Sequence, residues 1–443
     1  MAEEVKARQI ALRTRSFLAA HKAFVVNLLR IILALVLVFS GFVKAVDPMG
    51  TQYKLADYQT ASGLGQILNT TMLMAMSVGL ATIEFVTGIF LLFAIQRKLA
   101  SRTAVLLLAV MTPLTLWLAL TNKVSDCGCF GDAIVLTNWQ TFWKNVVLLT
   151  AAIVVAWKPK AMFRFVSESN QWIVINFSLI FILAVSAIAL YDQPILDFRP
   201  YHVGANIREG MTIPEGAEMP QFETTFIMEK DGKRQQFTLE DYPDTTWTFV
   251  EQVTKQTSQG YVPPVHDFYM IDESGEDIAE AVLEQNGYVF LLVSPDIEKA
   301  DDGRLDVINE LYEYCQENDI PFYGLTASGS RGIEIWREIT GADYPILSGD
   351  ETTLKTMVRS NPGLMLLKDG TVIGKWSSNR MPDPSEMDTS KPLSELPMGQ
   401  INIESTTATA VKMTVWFVVP LTLLVIADRL WMWTRWIRRK KKE

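Results

Sequence analysis

The sequence predicts an α-helical membrane protein that carries an α/β domain outside the lipid, and three observations predict it. Six apolar runs reach or approach the roughly 20 residues that cross a hydrocarbon core as a helix. Basic residues gather at every second connection between those runs. The segment Tyr191–Gln400 holds 38 acidic against 16 basic residues, so with −9 for the whole chain the remainder stands near +13. That is the split expected of an acidic soluble domain hung from a basic membrane unit.

The runs lie at Ala23–Val46, Met72–Ala94, Ala104–Leu120, Phe142–Trp157, Trp172–Leu190 and Ala410–Ala427. The fourth is short and relies on Trp139, Trp143 and Trp157 as interfacial anchors. The first outlasts the apolar core of a cleaved leader, and Glu3 and Glu4 precede it, so it reads as a retained anchor. Lys6, Arg8, Arg13, Arg15 and Lys22 flank it, Arg97, Lys98 and Arg102 follow the second run, Lys158, Lys160 and Arg164 the fourth, and Arg435–Lys442 the sixth. By the positive-inside rule these connections face the cytoplasm. The expected organisation is a cytoplasmic segment 1–22, a four-helix unit 23–157, a fifth span 172–190, an extracytoplasmic domain 191–405, a sixth span 410–427 and a basic tail 428–443. This places the protein in an inner membrane, with both termini cytoplasmic and the large domain periplasmic.

Ionisable residues within lipid are costly and attract attention. Arg30 lies about 10 Å, and Glu84 about 15 Å, in from the cytoplasmic ends of their runs at 1.5 Å per residue. An Arg30–Glu84 ion pair is expected, acting either as a structural clamp or as a proton or ligand relay. Lys44, at the outer boundary, is expected to snorkel. Ser40 and Gly41 offer a small surface for a close helix neighbour.

Two of the three cysteines stand in Asp126-Cys127-Gly128-Cys129-Phe130-Gly131-Asp132, a short loop on the outer side. Two ligands alone do not make a structural zinc site, and an oxidising compartment lets a disulfide persist. A Cys-x-Cys bond closes a very small ring, hard to form without strain, and strained disulfides are labile. The flanking Asp126 and Asp132 disfavour a thiolate. Exchange chemistry therefore competes with the plainer reading of two packed thiols or an inert clip. Cys315 falls on the stripe Leu305, Ile308, Leu311, Cys315 and reads as a core thiol.

Beyond Tyr191 the chain is an extended, Pro- and Gly-rich connector to about Gln221. Phe222–Met228 and Gln235–Leu239 flank Asp231-Gly232 as a hairpin. Strands and helices then alternate. Tyr288–Val293 suits a strand buried on both faces, followed by a helix at Leu305–Asn318, a strand at Pro321–Leu325 and a helix at Gly332–Ile339. A hairpin closes the pattern at Leu364–Leu367 and Thr371–Trp376 around Asp369-Gly370.

The stretch Val38-Phe39-Ser40-Gly41-Phe42-Val43-Lys44-Ala45-Val46-Asp47-Pro48, with Glu84 and the Cys-Gly-Cys-Phe-Gly loop, resembles the DoxX/MauE group of membrane proteins over Leu28–Trp157. The resemblance implies a DoxX-like four-helix bundle, here with two further transmembrane helices, associated with envelope redox chemistry. It makes Cys127 and Cys129 the candidate catalytic pair, with a quinone as the obvious electron acceptor. The alternation over His266–Trp376 resembles a thioredoxin-like domain of the exported type. The position of that family's Cys-x-x-Cys reads Ser294-Pro295-Asp296-Ile297-Glu298, so no thioredoxin chemistry carries over. Pro362 resembles the proline that shapes a thioredoxin peptide groove, and it reads equally as a loop-shaping residue.

Two functions stand. In one, the cysteine pair is a thiol–disulfide oxidoreductase served by a redox-inactive domain that binds a periplasmic protein. In the other, the chain is a non-enzymatic envelope scaffold or assembly subunit. The basic, Trp-rich tail points to membrane lipid rather than nucleic acid, and the scattered histidines give no metal site.

Overall fold

The computed structural model describes residues 2–440 apart from 64, 66, 125, 219–220, 231–232, 239–246, 259 and 402–405. The membrane unit begins with α1 (Ala2–Val46), α2 (Pro48–Ala61), α3 (Thr70–Phe93), α4 (Arg97–Thr121), α5 (Asn138–Trp157) and α6 (Gln171–Tyr191). Among the described residues six helices are long and apolar enough to cross a membrane. They coincide with the six expected runs, and the short fourth is a full 20-residue helix. Its start is fixed by a capping box, in which Thr137 and Gln140 each satisfy the other's backbone N–H.

Two glycines set the α1–α3 distance. A Cβ on Gly41 would lie 2.4 Å from the Phe85 nitrogen, and one on Gly88 would lie 2.8 Å from the Val38 nitrogen. The helices therefore touch backbone to backbone, as small residues allow in lipid. The polar stretch after α1 is itself helical. Asp47 caps α2 by accepting from Gly50 N, and Pro48 occupies the first turn, where it loses no hydrogen bond.

The connector after α6 is not merely extended. It forms the short α7 (Ile207–Met211), and Tyr201 and Ile207 are buried in the next domain's core. Next come β1 (Gln221–Lys230), β2 (Lys233–Thr238) and β3 (Thr248–Ser258), an antiparallel sheet in the order β2-β1-β3. The Asp231-Gly232 turn between the first two lies outside the described residues.

The main domain follows: α8 (Ala279–Glu284), β4 (Tyr288–Ser294), α9 (Leu305–Glu317), β5 (Phe322–Thr326), α10 (Ser330–Thr340), β6 (Ile346–Ser348), α11 (Glu351–Met357), β7 (Gly363–Lys368) and β8 (Thr371–Ser377). Its mixed sheet runs β6-β5-β4-β7-β8, with β4, β5 and β6 parallel and β7 and β8 antiparallel to their neighbours. Alternation along the central β4 divides the core in two. Phe290 and Leu292 pack with Ile308, Leu311, Cys315 and Trp336 under α9 and α10. Val289, Leu291 and Val293 pack on the other face with Tyr201, Ile207 and Met357. Asp369 and Gly370 turn the closing hairpin in the left-handed region, as a tight turn demands. The last helix, α12 (Thr406–Lys440), returns to the bundle and lays Phe417 against Phe85, Phe177 and Phe181.

Candidate functional site

The cysteine loop sits where the membrane helices meet the sheet domain. Cys127 is buried and Cys129 half-buried, their Cα atoms 5.4 Å apart. Gly128 and Gly131 hold positive φ, at 62° and 51°, which a β-carbon would resist. The loop is gripped through its carbonyls. The Tyr58 hydroxyl donates to the Cys127 carbonyl. Lys44 Nζ and Ser40 Oγ reach the Cys129 carbonyl at 2.9 and 2.7 Å.

Beneath the loop lies the bundle's buried ion pair. Lys44 Nζ is 2.8 Å from Glu84 Oε2, both side chains being almost fully buried. The three ammonium hydrogens match three acceptors, namely Glu84, Ser40 Oγ and the Cys129 carbonyl. Ser40 has one proton, so it satisfies either Glu84 or Cys129 at a given moment.

This corrects two expectations. Glu84 pairs with Lys44 and not with Arg30, and Lys44 does not snorkel. Arg30 donates instead to the Phe163 carbonyl at 2.8 Å, at the far end of the bundle. The Gly41 and Gly88 contacts place Arg30 level with residues near 94 of α3, roughly ten residues or 15 Å from Glu84. Lys44 is buried between Glu84 of α3 and the Cys129 carbonyl of the loop above it.

The two aspartates of the loop are not bare charges. Asp126 pairs with Lys54 at 2.8 Å and accepts from Gly128 N at 2.7 Å. Asp132 lies 3.5 Å from Arg359 of the sheet domain. Burial raises the Asp132 carboxyl, with Arg359 pulling the other way. Burial, reinforced by Asp126 and Asp57, raises the Tyr58 phenol, so it remains a proton donor to the loop.

A cleft of about 250 Å³ opens above the loop. Asp47, Tyr53 and Lys54 line it from the membrane unit, Gly128 from the cysteine loop, and Lys355 and Arg359 from the sheet domain. Arg359 was not among the residues singled out in the sequence, nor were Lys54 and Tyr58. The Asp47-Pro48 pair carried the only usable signal, a cap followed by a first-turn proline.

Pro362 follows a cis peptide bond. Asn361 beside it accepts from Ser294 Oγ at 2.6 Å and donates to the Asp296 carbonyl at 2.6 Å. The space among Pro362, Ser294, Ile297 and Trp336 is about 10 Å³, enough for one water and no peptide side chain. Arg359, three residues before Pro362, is what reaches the membrane unit. Cys315 is fully buried in the core, and burial pushes its thiol up to about 12.

Residues 22–158 match the family model described as methylamine utilisation protein MauE. The similarity to that family is confined to the four-helix membrane unit. Residues 222–259, which span the three-stranded sheet, match a domain of unknown function, DUF8463. No curated protein matches the chain. The MauE match takes in α1 to α5 and with them Ser40, Lys44, Glu84 and both loop cysteines. Arg359 lies in the part of the chain beyond it.

Proposed function

We propose that Cys127 and Cys129 form a thiol–disulfide exchange centre on the outer side of the inner membrane, and that the sheet domain is its docked binding module. The supporting observation is the anchoring of the loop. Both cysteine carbonyls are held by side chains of the membrane unit, one of them by a buried ammonium. Such anchoring keeps two sulfurs in place through a change of redox state.

Cys129 is the more exposed of the two, so an incoming thiolate attacks its sulfur and Cys127 leaves. A second thiol of the substrate then displaces Cys129. The substrate ends with a disulfide, and the loop ends with two thiols. Reoxidation removes two electrons and two protons, for which a membrane quinone is the acceptor of suitable chemistry. The mixed sheet, with β4 central between parallel β5 and antiparallel β7, supports a thioredoxin-like reading of this domain, with Ser294-Pro295-Asp296-Ile297 in place of cysteines. The domain serves by position, with its Pro362 loop laid over the cysteine loop through Arg359.

The rival reading, a scaffold for envelope assembly, draws on the same Arg359 contact and on that missing thiol pair. Alkylation of isolated membranes with a mass-shift reagent separates the two. In an exchanger, Cys127 and Cys129 take the label after mild reductant, and no longer take it when quinone is added before the label. A pair that never changes state, together with an unaltered phenotype in Cys127→Ser/Cys129→Ser, rejects exchange and leaves the scaffold.

A further inference from the structure

The opposite end of the bundle holds a cluster that none of this uses. Segment 158–167, between α5 and α6, gathers arginines from distant parts of the chain. Arg30 of α1 donates to the Phe163 carbonyl at 2.8 Å, and Arg97 at the start of α4 donates to the Lys160 carbonyl at 3.2 Å. Arg429 of α12 donates to the carbonyl of Arg164, itself the fourth arginine.

Counter-charge is short. Glu168 pairs with Arg164. Asp428 spends its oxygens on neutral donors, accepting from Ser167 N at 2.9 Å and Asn170 Nδ2 at 2.7 Å, and also from Ser167 Oγ. Arg30 is 1% exposed and has no carboxylate partner among the described residues.

The guanidinium groups are also left half-bonded. The Nε atoms of Arg30, Arg97 and Arg164, and Gln171 Nε2 close by in sequence, are buried without a hydrogen-bond partner among the described residues. A buried donor left unpaired costs about 1–3 kcal/mol, and charged donors cost more. Several at one place call for an acceptor that is anionic and rich in oxygen. The fork of Nε–H and Nη–H matches a phosphate with two parallel hydrogen bonds.

We propose that Arg30, Arg97 and Arg164 form a binding site for the phosphate of an anionic phospholipid headgroup. The source of that phosphate follows from the surroundings. Trp157, Phe163 and Trp172 are exposed by 80, 59 and 62% around the same segment. Exposed aromatics of this kind mark the headgroup level of a bilayer, where lipid phosphate is concentrated. Basic pockets between helices at that level take acidic headgroups.

The test uses the purified full-length chain, with bound lipid measured by native mass spectrometry and stability by thermal unfolding. The probes are phosphatidylglycerol, phosphatidylcholine and inorganic phosphate. Phosphatidylglycerol should be retained and should raise the melting temperature, while phosphatidylcholine and inorganic phosphate should not. Arg97→Gln/Arg164→Gln should weaken that retention about tenfold, as expected for loss of charge-assisted forks. Arg30→Lys, which keeps the charge, should weaken it too, because an ammonium lacks the fork. Arg331→Gln/Arg380→Gln removes equal charge from exposed positions of the sheet domain and should leave retention intact. Equal retention of both lipids, or equal losses in the arginine-cluster and sheet-domain variants, would overturn the proposal. Inorganic phosphate reproducing the stabilisation would overturn the assignment to lipid.

Discussion

Arg359 of the sheet domain holds Asp47 of the membrane unit with three N···O contacts of 2.8 to 3.0 Å. The same Asp47 caps α2, the helix that supplies Lys54 and Tyr58 to the cysteine loop. One carboxylate thus links the domain contact and the support of the loop. Any movement of the sheet domain is felt where the cysteines are held.

Breaking that link from either side should loosen the domain. Removing one partner of a buried pair leaves the other uncompensated, at about 3–5 kcal/mol. Arg359→Ala and Asp47→Asn should each lower the melting temperature and speed proteolysis near Gln193, whose side chain accepts from Arg359 N. Asp132→Asn should do much less, since its contact is 3.5 Å and half-exposed. Equal effects from Asp47 and Asp132 would mean that Arg359 is held by general charge and not by the fork.

The pH dependence of this contact has a definite sign. Burial opposes ionisation of Asp47, but the charge and hydrogen bonds of Arg359 outweigh it and hold the carboxyl below its ordinary value. A depressed folded value gives stability that is complete above the unfolded value near 3.9 and is lost as pH falls through the folded one. Asp132 is shifted upward, so protonating it relieves strain and does not remove support. Protection of the connector from protease should therefore survive acidification to about pH 4 and fail below it. In Asp47→Asn the acid-dependent loss should shrink to the part that Asp197 contributes through its pairs with Lys375 and Arg199. A loss centred near neutral pH in the native chain would contradict this assignment.

The Lys44–Glu84 pair makes a separate prediction. Lys44→Met leaves a buried carboxylate and Glu84→Gln leaves a buried ammonium, so each should be strongly destabilising. The double variant should recover part of the loss, with a coupling energy above about 1 kcal/mol for groups in direct contact. Lys44→Met should also leave the Cys129 carbonyl with Ser40 as its remaining donor and raise the alkylation rate of reduced Cys129. Additive losses with unchanged alkylation would show that the pair does not anchor the loop.

The sequence disclosed the six spans, β4, β5, β7 and β8 of the main sheet, and the burial of Cys315, because each is written in local periodicity; the three-residue β6 is too short to leave such a pattern. It did not disclose the partner of Glu84. Depth along a helix can be counted from its ends, but the end of α1 is not the edge of the bundle. Lys44 stands two residues from the end of the first apolar run, so it reads as a boundary residue. In the fold it lies between Glu84 of α3 and the Cys129 carbonyl, inside the bundle. Arg359 was illegible for another reason: it lies 312 residues from Asp47, and no short-range pattern marks a contact of that separation.

Backbone contact between α1 and α3 can be tested with a built-in control. A Cβ at Gly41 would meet the Phe85 nitrogen at 2.4 Å and the Ala81 oxygen at 2.6 Å, neither of which can rotate away. Gly41→Ala should cost about 1–3 kcal/mol through forced separation of the helices. Gly79, on the same α3, has nothing within 4 Å. Gly79→Ala should be neutral or stabilising by up to about 1 kcal/mol through helix propensity. Similar melting temperatures for the two variants would place the α1–α3 interface elsewhere.

Cys315 offers a chemical control for the loop cysteines. Its thiol, raised to about 12 by burial, has a thiolate fraction of about one in ten thousand at pH 8. Its side chain is fully buried between β4 and α9, so reagent also lacks access. Native membranes treated with reductant and iodoacetamide at pH 8 should take label at Cys127 and Cys129 but not at Cys315. Addition of denaturant should bring Cys315 to the same extent of labelling, because unfolding restores both its ordinary acidity and its exposure. Prompt labelling of Cys315 in the folded chain would mean that the α9 face opens readily. Redox assays on the intact protein would then need Cys315→Ala before any signal could be credited to the loop.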